Sequence, residues 1–292
     1  MIKLIVALVV IAAAGFGIYW YITHPQPPDF AFAPAPAEGE PAADMAWVEA
    51  NFPLSGDDLA KITPRNLQAL TQEQVDQVYA RLTAGPIPNG AFDGDLFFPR
   101  GANQSRFAEV VGGGFEGGLR ERAANISVVK LEFLGARLWR GKVFDRETRI
   151  LRNRITDLTA LELILDDSEE DQLESLYDED LGQVLLFPAK LYCGQSMLDG
   201  RRESIIIDYA YTDTLPGYLE KLDHLVGREG LRIRDEIRMV RPGFYLGRAY
   251  MDRVFVLNFS LYNEEIAESR GAGAEDCWTG EQQRVASARQ SL

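Results

Sequence analysis

Apolar and polar positions change rhythm three times along the chain. Residues 4 to 22 read LIVALVVIAAAGFGIYWYI, an apolar run with no charge in it. At the helical rise such a run covers about 28 Å, close to the hydrocarbon thickness of a bilayer. Residues 25 to 43, PQPPDFAFAPAPAEGEPAA, show no period. They read as a tether, stiffened by proline and unable to build a core. Between 44 and 84 the period is helical: Thr71 and Gln74 form a capping-box pattern, and Val75, Val78, Tyr79 and Leu82 share one face. Gly85-Pro86 ends that segment.

Beyond 86 the rhythm turns to strands. Gly90 to Gly94 leads into Leu96-Phe97-Phe98, read as a strand, and Val184 to Tyr192 is another, with Pro188 marking an edge or a bulge. Ser204 to Tyr211 is another, joined to it through the Asp199-Gly200 turn. Arg232 to Val240 and Phe244 to Tyr250 flank Arg241-Pro242-Gly243, a good turn. Phe255, Leu257, Phe259 and Leu261 alternate with Val256, Asn258, Ser260 and Tyr262. Consecutive hairpins with one apolar face predict an antiparallel sheet that curls on itself. The stretch from Ile126 to Leu138 fits helix and strand equally. The acidic run 166 to 180 reads as a solvated excursion, and the tail after Asn263 as a short helix followed by disorder. The expected class is α+β: a transmembrane helix (1–23), a linker (24–43), a helical segment (44–84), a mainly antiparallel β-barrel-like domain with accessory helices (85–263) and a polar tail (264–292).

Charge orients this arrangement. Lys3 precedes the apolar run, and the next Lys or Arg after it is Lys61. The positive-inside rule then places the N-terminus in the cytoplasm and the rest outside, as a single-pass membrane protein. Tyr19, Trp20 and Tyr21 supply the interfacial aromatic belt. A cleaved signal peptide is the rival reading, but no small-residue cleavage site follows promptly. The net charge of −14 argues against nucleic acid as a partner. Two cysteines, Cys193 and Cys277, are too few for a disulfide scaffold or a structural zinc site. In an oxidising compartment they could pair, and spacing alone leaves that open.

Chemistry is sparse. His24 abuts the apolar run and His224 sits in a polar stretch, so no histidine metal site is expected. The glycines at 112–114 and 117–118 lack the context of a phosphate loop. Gly194-Gln195-Ser196 lacks the second glycine of a nucleophile elbow. Asp208, Asp235, Glu236, Arg238 and Arg241 are more telling, being charges inside apolar strands. In a regular strand Asp235 and Arg238 face opposite ways, while Glu236 and Arg238 share a face. At least one acid and one Arg are therefore expected on the inner face, unless a bulge re-aims them. They form either a buried ion pair or the polar floor of a ligand cavity, with Tyr209, Tyr245 and Trp139 as wall or core.

Several of these segments, in order, resemble the uncharacterised domain family named for its Gly-x-Trp-x-Gly signature. Gly90, Phe92 and Gly94 stand at the signature, with Phe for Trp. Trp139, Gly141, Lys142, Phe144 and Asp145 match a Trp-x-Gly-Lys-x-Phe element. Gly194, Ser196, Asp208 and Tyr209 are similar to the third element, with the Tyr-Asp order reversed. Asp235, Arg238, Leu246 and Gly247 match the fourth, and Phe255 to Leu261 the last. The resemblance spans residues 85 to 262. It implies a compact barrel of the lipid-binding-protein kind, with a helix between the first two elements, and brings no established activity or cofactor. The candidate ligand-binding residues are Asp208, Tyr209, Asp235, Arg238, Tyr245, Trp139 and Lys142. The expected function is a membrane-tethered extracytoplasmic domain holding an apolar or amphipathic small molecule. The alternatives are an enzyme using a buried Asp/Arg group, or a scaffold binding a partner through the 44–84 helices.

Overall fold

The structure, a computed structural model, describes residues 25–36, 43–97, 138–156, 172–269 and 276–280. The apolar run 4–22, the ambiguous stretch 126–137 and the helix expected between the first two family elements lie outside these. No helix among the described residues is long and apolar enough to cross a membrane.

The hairpin rhythm closes into an antiparallel ring. Its strands are β1 (Gly90–Phe97), β2 (Trp139–Asp145), β3 (Ile150–Ile155), β5 (Gln183–Gln195), β6 (Glu203–Asp208), β7 (Ile233–Arg241), β8 (Phe244–Met251) and β9 (Val254–Tyr262). A two-residue strand, β4 (Tyr177–Asp178), pairs with β5 in the described part of the acidic stretch, residues 172–180, where Leu173 is buried. Pairings of β1 with β9 and of β3 with β5 shut the barrel, so the ring of eight has no free edge. Closure at β3–β5 uses a bulge: Leu151 faces Ala189 while Asn153 faces Leu186. Phe187 and Pro188 together stand opposite the single Arg152, and Phe187 takes a positive φ of 53°. Pro188 thus marks a bulge, where its missing N–H costs no ladder bond.

Alternation sorts the side chains. Phe92, Phe144, Leu151, Ile205, Ile207, Ile237, Phe259 and Leu261 point inward and form the lumen core. Phe244, Leu246 and Val240 point outward, yet they are buried too, under a helical layer. That layer comprises α1 (Met45–Asn51), α2 (Gly56–Lys61), α3 (Pro64–Leu67) and α4 (Gln72–Ala80). Each of the last three starts with a reciprocal capping box: Ser55/Asp58, Thr63/Asn66 and Thr71/Gln74. Ile62, Leu67, Leu70, Val75, Val78 and Leu82 complete the outer core.

Two arginines of β7 hold the layer in place. Arg238 is fully buried on the outer face. Its guanidinium donates to the carbonyls of Tyr79 (3.1 Å) and Ala80 (3.4 Å) at the buried C-terminal end of α4. It also donates to Asp199 O (3.2 Å), Arg202 O (2.8 Å), Glu203 O (3.2 Å) and Ser204 Oγ (3.0 Å) around the β5–β6 turn. Burial holds this guanidinium below the usual arginine value. Arg241 likewise donates to Leu59 O (3.2 Å) and Ile62 O (2.6 Å) at the end of α2. Cations at helix C-termini are favoured by the macrodipole as well as by the bonds. Arg238 therefore lies outside the barrel; the expectation of an arginine on the inner face is corrected. The alternation that separates Asp235 from Arg238 is observed, and the inner cation comes from another strand.

Three further findings concern the ends. Cys193 on β5 is disulfide-bonded to Cys277, with Cα atoms 5.5 Å apart. The bond pins residues 276–280 to the barrel, where Cys277 N donates to Gly85 O (2.8 Å). The short helix expected after Asn263 is α6 (Glu264–Glu268), but 276–280 are docked rather than loose. The tether is not free of the core either. Phe30 and Phe32 pack against the outer cluster, Ala33 is buried, and Ala33 exchanges two hydrogen bonds with the Gln77 amide (2.9 and 3.1 Å). The absence of periodicity hid two aromatics that fit a ready groove.

Arg238→Met is expected to lower urea stability by about 3 kcal/mol or more, since several buried carbonyls lose their donor at once. Arg238→Lys should recover only a minor part, because an ammonium cannot reproduce the planar fork. Reduction of the disulfide, which closes a loop spanning 84 positions, should cost about 2–5 kcal/mol in the same assay.

Candidate functional site

The lumen holds one polar node, built from three strands and the residue after β6. Lys142 sits on β2 directly opposite Asn153 on β3. Tyr209 follows β6, and Asp235 lies on β7 across the barrel. All four are nearly or fully buried. A bulge between Trp139 and Gly141 lets Trp139 turn inward with Lys142. Two glycines make this possible. A Cβ on Gly94 would lie 2.2 Å from the Trp139 ring, and one on Gly141 would lie 2.0 Å from Phe92 O. Gly141 also has φ +132°, a conformation other residues rarely adopt. The glycines of the first two family-like elements thus have a shared mechanical reason: they bring β1 and β2 close enough to seat the indole.

Every donor of the Lys142 ammonium is used. It donates to Tyr209 OH (2.6 Å), Asn153 Oδ1 (2.9 Å) and Asp235 Oδ2 (3.1 Å). Trp139, Tyr209 and Phe259 stand around it, with ring centroids 5.3–5.5 Å from the nitrogen. Asn153 accepts from Trp139 Nε1 (2.9 Å) and donates to Phe187 O (3.1 Å) and Tyr209 OH (3.1 Å). Burial alone would push the Lys142 ammonium down, but Tyr209 and Asp235 beside it outweigh burial and hold it above the ordinary 10.5. Burial raises the Tyr209 phenol above its ordinary 10.0, although Lys142 pulls the other way. Burial also raises the Asp235 carboxyl against the pull of Lys142.

The seven candidate residues therefore separate. Trp139, Lys142, Tyr209 and Asp235 come together. Tyr245 points into the lumen near the opposite end, where its hydroxyl donates to Pro86 O (2.7 Å). Arg238 lies under the helices. Asp208 is half-buried on the outer face, accepting from Tyr192 OH (2.9 Å) and its own neighbour Ala210 N (2.8 Å). Asn153 and Phe259 were missing from the set. Asn153 had a signal: in Ile150–Ile155 it is the polar member of the inward triplet Leu151, Asn153, Ile155.

The two ends of the barrel differ. At one end the strands are joined by tight turns at 146–149, 196–202 and 242–243. From the other end leave the long connections between β1 and β2, β3 and β4, and β6 and β7. The β6–β7 connection carries α5 (Glu220–Asp223) and folds over β5. The buried Asp223 carboxylate fixes it, accepting from Phe187 N at the bulge (3.0 Å) and from Leu219 N (2.7 Å). Residues 209 to 229 of this connection themselves line a cavity of about 440 Å³. Tyr209, Tyr211 and Tyr218 supply its aromatic surface. Asp213, Glu220 and Glu229 set three carboxylates against the single guanidinium of Arg228, which lies 5.0 Å from the Tyr211 ring centroid. Tyr211 is exposed and held at φ +57°, a backbone strain of about 1 kcal/mol or more. Burial raises the Tyr218 phenol, helped by Asp223, Asp213 and Glu220. Tyr209 belongs to both the cavity wall and the interior node. Among the described residues no cluster of three or more His, Cys, Asp or Glu could hold a metal ion.

No protein-family model and no curated protein matches the chain. Among solved structures it is similar to a protein from Thermomonospora curvata, at 16% identity and a TM-score of 0.38, covering 72% of this chain and 97% of that one. That likeness is too distant to bear on function.

The raised Lys142 and Tyr209 values set a pH dependence. In the fold both groups keep their protons at a pH where the unfolded chain has released them. Their stabilisation is complete below about pH 10 and is lost as pH rises through the folded values. Urea titrations between about pH 8 and 12 should show stability falling by up to about 1.4 kcal/mol per pH unit for each group. Tyr209→Phe should make that fall shallower. Asp235 acts separately: its raised value removes stability as pH climbs from 3.8.

Proposed function

We propose that this chain is a membrane-tethered extracytoplasmic domain that holds an amphipathic small molecule by its polar head in the cavity at the open end of the barrel. The cavity is the observation that carries the reading. About 440 Å³ is within the range of small-molecule sites, and its lining is drawn from the β6–β7 connection at that end. The interior node does not serve as its floor in the manner expected, because Lys142 has already spent its donors on Tyr209, Asn153 and Asp235. The head group is an organic cation: tyrosine faces and an excess of carboxylates favour an amine over an acid.

The membrane part of the reading rests on the apolar run and its flanking charges. The Cys193–Cys277 disulfide supports an oxidising compartment for the barrel. The barrel itself is what the family-like elements imply, and membership of that family remains part of the proposal.

Calorimetry with n-alkylamines and n-alkylcarboxylates of matched chain length, from hexyl to decyl, tests the site. Amines are expected to bind at least about tenfold more tightly than carboxylates. Tyr218→Ala and Glu220→Gln should each weaken the amine by roughly threefold to tenfold without changing urea stability. Equal binding of both series, or amine binding indifferent to both substitutions, would refute the assignment.

A further inference from the structure

The segment that follows the apolar run is docked, and that changes how the barrel is held. Pro28 is buried, and Asp29 O accepts from Lys61 Nζ on α2 (2.8 Å). Phe30 and Phe32 stack on each other at 4.8 Å and lie 6.0 and 5.7 Å from the Arg81 guanidinium at the end of α4. Ala33 pairs through both its N–H and its C=O with the buried Gln77 amide. A primary amide meeting a backbone N–H and C=O together is a directional match, and here it sits out of water, where breaking it is costly. These contacts fall on two helices of the layer that Arg238 and Arg241 bolt to β7.

Only residues 23 to 27 then separate Ile22, the last residue of the apolar run, from docked Pro28. Fully extended, that stretch spans about 20 Å. Two of its five residues, Pro25 and Pro27, keep it stiff. We infer that residues 28–33 act as a fixed strut that holds the barrel within about 20 Å of the bilayer, with the α2–α4 layer nearest the lipid. This rests on the membrane-tethered reading above and goes beyond it: the linker from 24 to 43 is not a long leash. Asp29 of the strut lies beside the Gly56–Lys61 helix, whose first turn carries Asp57 and Asp58, so the surface around the strut is acidic. An acidic face is repelled by anionic lipid, so the strut also sets a gap. The ligand cavity is thereby kept at a constant height above the source of any amphipathic molecule.

The test uses the full chain in nanodiscs. A donor dye on Arg65→Cys, on α3, is paired with a headgroup acceptor to read the distance from helical layer to membrane. Ten Gly/Ser residues inserted between Gln26 and Pro27 should increase that distance by about 15–20 Å. The same insert between Glu38 and Gly39, beyond the strut, should leave it unchanged. Adding Phe30→Ala, Phe32→Ala and Gln77→Ala to the second insert should restore the increase, with circular dichroism confirming that the barrel is intact. Equal lengthening by the two inserts would overturn the strut while leaving the anchor standing. Release of the unmodified protein from membranes by alkaline carbonate would instead overturn the membrane reading, and the strut with it.

Discussion

An eight-stranded ring has room inside for little more than the side chains of its own strands. That limit decides where each polar group in this molecule can go. Strand β7 shows the consequence at neighbouring positions. Asp235 points into the lumen and finds Lys142, while Glu236 and Arg238 point out and are buried nonetheless, because a helical layer covers that face. Both faces of the strand are dry, so neither set of charges can rely on water. The inward set is satisfied by a compact node of four side chains. The outward set is satisfied by carbonyls at helix ends and at a turn, together with Tyr79, Ser204 and the Met197 N–H. Replacing either set with apolar residues of similar volume could leave stability near its present value. Removing one member of a set cannot, since its partners would be stranded.

The same reasoning explains which features were legible beforehand. The alternation of β9 from Leu257 onward, the Asp-Gly and Pro-Gly turns, the capping box at Thr71 and the opposite facing of Asp235 and Arg238 are local, and each follows from a period or a turn residue; Phe255, expected to face with Leu257, is turned by a bulge to the outer face beside Arg248 and Tyr250. The partners are not local. Lys142 and Asp235 lie 93 positions apart and meet only because the ring closes. Arg238 was expected inside because it is a charge within an apolar strand, and nothing in its own strand announces the helices that cover its outer face. Strands β2 and β3 carry Arg140, Arg152 and Arg154 among their apolar positions, which blurs a period of two. The disulfide, too, needs the fold: spacing says how long a loop would be closed, never whether two Cβ atoms face each other.

The helical layer was legible as helices but not as a structural half of the barrel. Its inward face buries Tyr79 against Ser204 and Arg238, and its outward face receives the phenylalanines of the incoming chain. Force or displacement at the N-terminus therefore reaches β7 through two directional contacts, Gln77 to Ala33 and Arg238 to Tyr79 O and Ala80 O. Residues 28–33, which would belong to a passive spacer in isolation, become part of the folded body.

The asymmetry of the barrel is what the proposed ligand site rests on. One end is shut by tight turns, by Tyr245 bonded to Pro86 O, and by the disulfide-held segment at Gly85. Short turns leave no freedom to shape a site. The other end carries the long connections, and one of these is fastened by Asp223 to the Phe187 bulge, the irregularity that allows the ring to close. The cavity wall is thus tied to the same bulge as the β3–β5 closure, and through Tyr209 to the Lys142 node. A site rooted this way is held in position by the barrel's own closure, whereas the rim above it, with exposed Tyr211 and Arg228, is free to vary.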